Sequence, residues 1–141
     1  GTKSEYRQIW DINVRDYLST LTDIEKPVIY CGDLNVVHKE IDIYDPKIWQ
    51  QEKHAGVLDY EKIGIQNILD IGYVDSWRHF HPDTPKYSWW NPRVKARQRG
   101  IGWRIDYMLV REKDMEKVSH TDILNDIMGS DHCPVLLTLD I

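Results

Sequence analysis

Residues 103–110 read WRIDYMLV. Ile105, Tyr107 and Leu109 alternate with Asp106, Met108 and Val110, so a strand here is apolar on both faces. Such a strand needs cover on both sides. Asp106 is the odd member, because a carboxylate inside an apolar strand is costly without a partner. The fold turns on what covers this strand, and the chemistry on what meets Asp106.

Towards the C-terminus, VSHTDIL (118–124) and CPVLLTLDI (133–141) read as two more strands. Before it, YVDSW opens a brief strand at Tyr73, followed by a loop punctuated by Pro82 and Pro85. LDYEKIGIQNILDIG (58–72) has helical spacing with Gly72 as its stop. KPVIYCGDLN (26–35) reads as a short buried strand, opened by Pro27 and ended by Gly32. Residues 36–56 show no clean period and read as a long excursion broken at Pro46 and Gly56. Residues 2–21 read as an amphipathic helix with Tyr6, Ile9, Trp10, Tyr17, Leu18 and Leu21 on its apolar face. Thr2 and Glu5 have capping-box spacing at its start. The order predicts one α/β layer with a mixed sheet. The two helices can cover one face of that sheet, and the chain is too short to cover the other.

The 141 residues, 41% hydrophobic and 29% charged, have the make-up of one soluble globular domain. No apolar run approaches the length of a membrane span and there is no signal-peptide pattern, so no membrane partner is expected. Cys31 and Cys133 lie in apolar runs outside any CxxC pair, which predicts buried free thiols in a reducing compartment. A net charge of −5 argues against whole-surface nucleic-acid binding. The charge is uneven, however. Lys86, Arg93, Lys95, Arg97, Arg99 and Arg104 follow one another with no acidic residue between them, interleaved with Tyr87, Trp89, Trp90 and Trp103. That segment suits a polyanion met on one face; its plainer reading is a solvated loop over buried tryptophans.

Three strand ends carry the chemistry: Asp33 and Asn35 in CGDLN, Asp106 in WRIDY, and Asp131 with His132 in GSDHCP. Each alone has an ordinary explanation, such as an Asx turn or a structural hydrogen bond. Together they make a kit for phosphodiester hydrolysis. Carboxylates suit a hard cation such as Mg²⁺, which binds through one or two acids plus phosphate and offsets charge on the phosphoryl oxygens. A carboxylate that accepts from one imidazole nitrogen orients the other, and His132 is the natural partner for Asp106. A zinc site does not fit, since the six histidines are scattered and there is no HExxH.

The segments GDLNVVHKEIDIYDPK (32–47), YSWWNPRVKARQRGIGWRIDYMLV (87–110) and GSDHCPV (129–135), in this order, resemble the exonuclease III family of AP endonucleases. GDLN and SDHCP point to the wider endonuclease/exonuclease/phosphatase superfamily, while ARQRGIGWRIDY and HKEID are specific to the DNA-repair branch. The resemblance runs from about Glu5 to the C-terminus. It implies a DNase I-like fold, a four-layered α/β/β/α sandwich. Residues 1–141 would form its C-terminal half, a mixed sheet covered by helices on one face. The N-terminal half, which supplies an Asn, the principal metal-binding Glu and an active-site Tyr in that family, has no counterpart here. The inner sheet face would then be bare in a lone chain and open to self-association.

The resemblance also implies roles. Asp33 would activate the attacking water or protonate the leaving oxygen. Asn35 would contact the phosphate, and Asp106 would orient a phosphate-binding His132. Asp131 would lie near the metal, Mg²⁺ or alternatively Mn²⁺. Trp89 and Trp103 would wall a pocket for a baseless sugar, while Arg93 and Arg97 would touch phosphates or wedge into the duplex. The implied activity is Mg²⁺-dependent cleavage 5′ to an abasic site and 3′-to-5′ degradation, on double-stranded DNA with abasic sites or 3′ ends. The implied setting is intracellular: cytoplasm or nucleoid, or the nucleus in a eukaryote. The alternative is a non-catalytic half that folds or binds DNA only with its N-terminal partner.

Overall fold

A computed structural model describes residues 2–141. In chain order it runs α1 (Lys3–Ser19), β1 (Ile29–Asp33), a 3₁₀ turn (Glu40–Asp42), α2 (Pro46–Gln51), α3 (Asp59–Asp70), β2 (Tyr73–Asp75) and α4 (Ser76–Phe80). There follow β3 (Trp89–Trp90), α5 (Ala96–Arg99), β4 (Gly102–Trp103), β5 (Asp106–Arg111), β6 (Val118–Ile123) and β7 (Val135–Leu139). The expected α/β make-up is found. The excursion after β1, which shows no clean period, nevertheless holds a 3₁₀ turn and the short helix α2, because Asp45 caps α2 from the turn and Pro46 starts it.

The capping box forms as its spacing predicts: Thr2 Oγ1 accepts from Glu5 N at 3.2 Å, and Glu5 Oε2 accepts from Thr2 N at 2.9 Å. The apolar face expected for α1 is different. Leu18 is buried, but Tyr6, Ile9, Trp10 and Tyr17 are 69%, 60%, 50% and 64% exposed. Of that face only Leu18 and, just past the helix, Leu21 pack towards α3 and the sheet, joined by Val14.

β5 is the central strand of a three-stranded sheet ordered β1-β5-β2. It runs antiparallel to both neighbours, so the two strands that run the same way never pair. β3 pairs with β4 and β6 with β7, again antiparallel, where the sequence suggested a mixed sheet. Register decides which side chains share a face. Tyr30 opposes Leu109 and Gly32 opposes Tyr107, and this side packs on Leu18, Ile65 and Ile68 of the helices. Cys31 opposes Met108 and Asp33 opposes Asp106 on the other side. There Ile29 and Cys31 are exposed, and neither cysteine forms a disulfide. Cys133 is buried as expected; Cys31 is not, because its sheet face lacks a covering layer among the described residues.

Arg104 ties the pieces together. It is 1% exposed, and its guanidinium donates to Asp42 at 2.7 Å and to Asp75 at 3.0 and 2.5 Å. Arg78 also donates to Asp42. Burial alone would raise the Asp42 pKa, but the Arg104 and Arg78 charges and hydrogen bonds outweigh it and hold the carboxyl below the usual range. Arg104 therefore does not belong to a polyanion-facing surface, contrary to its place in the basic run. A buried arginine needs two carboxylates more than it needs solvent.

Asp42→Ala leaves a buried guanidinium half-paired and should cost about 3–5 kcal/mol, read as a lower urea midpoint of unfolding. The Asp42 contribution is present above the unfolded Asp pKa of about 3.9 and is lost as pH falls through the lower folded value.

Candidate active site

Asp33 ends β1 and Asp106 starts β5, so antiparallel register sets them directly opposite one another. Opposed like charges are unfavourable on a sheet, and a third group offsets them here. His132 Nδ1 lies 2.9 Å from Asp106 Oδ2, and His132 Nε2 lies 3.7 Å from Asp33 Oδ2. Asp106 thus has the imidazole partner that its apolar strand required. Asn35 follows a tight bend: its backbone N–H donates to Asp33 Oδ1 at 2.8 Å and its φ is 51°. That left-handed conformation suits asparagine better than most residues.

The backbone behind these groups is held by side chains. Ser88 Oγ accepts from the N–H groups of Ile105 and Asp106 at 3.1 and 3.2 Å, which pins the start of β5. Cys133 N donates to the Ser88 carbonyl at 2.8 Å and Trp90 N to the Asp131 carbonyl at 3.1 Å, bringing His132 alongside Trp89. The Tyr107 hydroxyl donates to the Val36 carbonyl at 2.7 Å and fixes the chain leaving Asn35.

Asp33, Asn35 and His132 open onto a cavity of about 410 Å³, which Trp89, Trp103 and Gly56 also line, while Asp106 stands behind His132. The two indoles meet edge to face with centroids 5.7 Å apart. Gly56 abuts the second ring so closely that a Cβ would lie 2.8 Å from it, and its φ of +98° also excludes most side chains. Glu61, buried, accepts from the N–H groups of Gly56 and Leu58 at 2.8 and 3.0 Å and sets that loop. Arg7 lines the same cavity, donating to the Leu34 carbonyl at 2.7 Å and to Asp11 at 3.0 Å. Sequence reading missed Arg7, Glu61 and Gly56. Of these only Gly56 left a trace, as the break in the excursion.

Burial raises the Asp33 pKa, and the nearby Asp106 charge raises it further against the Asn35 hydrogen bond and His132. For His132, burial disfavours the charged ring, but its hydrogen bond to Asp106 and the Asp106, Asp33 and Asp131 charges prevail and raise the pKa. Asp33, Asp106 and His132 present ligand atoms within 4.8 Å of one another, a group able to hold a metal ion. Two of the three donors are carboxylates, which suits a hard cation. Asp131 lies outside that group. Its carboxylate accepts from Trp89 Nε1 at 3.2 Å, and this bond holds its pKa below the usual range.

The basic segment is less available to a polyanion than its composition suggests. Lys86 pairs with Asp122 at 3.1 Å, and Arg104 is buried. Arg97 donates to three backbone carbonyls. The side chains of Arg93 and Lys95 make no hydrogen bond or ion pair among the described residues, and both are exposed.

The sequence pattern of the endonuclease/exonuclease/phosphatase family matches residues 1–132. The chain belongs to this family. It is 47% identical to an exodeoxyribonuclease of Bacillus subtilis over 97% of its own length and 54% of that protein's. With the DNA repair nuclease APEX1 of Danio rerio it shares 40% identity over 96% of this chain and 43% of the other. The chain thus spans about half the length of these curated relatives. Among solved structures, the 3′–5′ exonuclease NExo of Neisseria meningitidis matches all of the chain and 56% of its own with a TM-score of 0.86 at 28% identity. An AP endonuclease from Archaeoglobus fulgidus matches the same shares at a TM-score of 0.85 and 28% identity. No helix among the described residues is long and apolar enough to cross a membrane.

In metal-free protein, the His132 ring should titrate above the usual value of about 6.5, and Asp106→Asn should bring the midpoint down. An NMR titration of the ring protons reads this directly. With its folded pKa raised, His132 stabilises the fold fully below the unfolded pKa, and that contribution disappears as pH rises through the folded value.

Proposed function

We propose that this chain carries much of the active site of a DNA repair nuclease that hydrolyses the phosphodiester 5′ to an abasic site and removes nucleotides from 3′ ends. The observation that carries the reading is the convergence of Asp33, Asn35, Asp106 and His132 beside a cavity walled by Trp89 and Trp103. The names of the relatives support the same chemistry.

His132, oriented by Asp106 and with its charged form favoured by the neighbouring carboxylates, donates a hydrogen bond from Nε2–H to a phosphoryl oxygen. Asp33, with its raised proton affinity, takes the proton from the attacking water. Asn35 donates to a second oxygen without adding negative charge. Asp131, the carboxylate that these roles leave over, is the residue of this chain that would hold Mg²⁺, or Mn²⁺ in its place, and the ion would offset charge building on the phosphoryl oxygens. The edge-to-face indoles leave an apolar slot suited to a sugar without its base, and Gly56 closes the slot with backbone. Arg93, exposed and unpaired among the described residues, would meet a phosphate.

The carboxylates stand on the sheet face that carries the exposed Ile29 and Cys31, and the chain spans about half the length of its relatives. Both facts support a site completed by a further N-terminal half packed on that face, with further metal-binding carboxylate from it. The second reading, a non-catalytic half that folds or binds DNA only with its N-terminal partner, rests on the same two facts. An intracellular setting, where DNA is found, goes with either.

The test is cleavage of a labelled duplex with one abasic site, in Mg²⁺ or EDTA, by the 141-residue chain alone and together with the N-terminal half. Mg²⁺-dependent cleavage that needs both halves is the expected result. In the complete protein, His132→Ala or Asp106→Ala should lower kcat by about 10²–10⁴-fold. Near-normal cleavage by either variant would remove the assigned roles.

A further inference from the structure

The loop between β6 and β7 delivers Asp131 and His132 to the site, yet residues 125–130 are all exposed. Ile127 and Met128 are 50% and 70% exposed, so no apolar packing fixes the loop. Arg97 does so from α5. Its Nη2 donates to the Asn125 carbonyl at 2.8 Å and the Ile127 carbonyl at 2.6 Å, and its Nη1 donates to the Ser130 carbonyl at 3.2 Å. The guanidinium also lies over the Trp90 ring, 4.4 Å from its centroid. Trp90 is buried, and its backbone N–H donates to the Asp131 carbonyl. The stack therefore anchors the cation to the segment that pairs with His132 itself.

A guanidinium grips a phosphate best through two parallel N–H groups on one edge. Both such edges use Nη2, and both Nη2 hydrogens are already committed to carbonyls here. We propose that Arg97 is a positioning residue for His132, holding the 125–130 loop in register, and not a contact to DNA phosphate. This rests on the nuclease reading for its effect on catalysis, but the loop clamp itself does not.

The test uses the complete natural protein with Arg97→Ala, Arg97→Lys and, for comparison, Arg93→Ala. Three quantities are measured: hydrogen exchange of residues 125–131, kcat and KM on abasic duplex, and the salt dependence of binding that duplex in EDTA. Arg97→Ala should speed exchange in the loop and lower kcat by roughly tenfold or more, as a misplaced catalytic group does, with KM little changed. Its salt slope should match the wild type, whereas Arg93→Ala should lower the slope by about 1, as a lost phosphate contact does. Arg97→Lys keeps the charge but cannot serve three carbonyls from one point, so it should loosen the loop and lower kcat as well.

The proposal is overturned if Arg97→Ala lowers the salt slope while loop exchange stays as in the wild type, or if Arg97→Lys restores both kcat and loop protection. A wild type that leaves abasic duplex intact would instead defeat the nuclease reading. Loop exchange needs no substrate and would still decide the role of Arg97.

Discussion

Arg104 between Asp42 and Asp75 is the constraint on which the site depends. A buried ion cluster adds little net stability over an apolar replacement, because desolvation cancels much of the attraction. Its effect is one of placement. The fork reaches the turn after β1 and the end of β2 at once, and the Arg104 backbone N–H donates to the Asp42 carbonyl at 2.7 Å. Residues 42–44 are thereby laid along β4, where Ile43 bridges Trp103 and Tyr44 N donates to the Gly102 carbonyl at 3.1 Å. On one side of Arg104 stands the Trp103 wall, on the other the strand that begins with Asp106.

The same device recurs wherever a loop must be held without a core. Arg111, also buried, donates to the carbonyls of Leu21, Thr22, Ile24 and Lys26 and to Asp114, gathering the whole connection from α1 to β1. Arg7 takes the Leu34 carbonyl at the bend that follows β1. A loop leaves carbonyls without strand or helix partners, and a planar cation with five donors can satisfy several of them from one place. In this chain several arginines work on backbone, which is why an acidic protein with a basic stretch offers so few free cations around its site.

What the sequence made legible followed the range of the forces involved. The Thr2–Glu5 box and the Gly72 stop act over three or four residues, and both appear as read, whereas Pro46, read as a break, starts a helix. The pairing of Asp106 with His132 was legible for a different reason: a carboxylate in an apolar strand must find a partner, and few candidates existed. The partners of Arg104 were not legible, although an arginine flanked by Trp103 and Ile105 carries the same requirement. Its carboxylates lie 62 and 29 residues away among many others. The exposed face of α1 misled for want of context, since helical periodicity says which residues share a face and not whether anything covers it. The basic run misled similarly, because composition counts charges and cannot tell which are already paired.

Asp33 and Asp106 face one another only because β1 and β5 pair in one particular register. A slip of a single residue in either strand would turn that strand's carboxylate to the helix side, among Leu18, Ile65 and Ile68. The apolar helix face therefore does more than stabilise the sheet. By rejecting charge, it proofreads strand alignment, so a molecule that has packed its core correctly has by the same act set both acids opposite one another, within reach of His132.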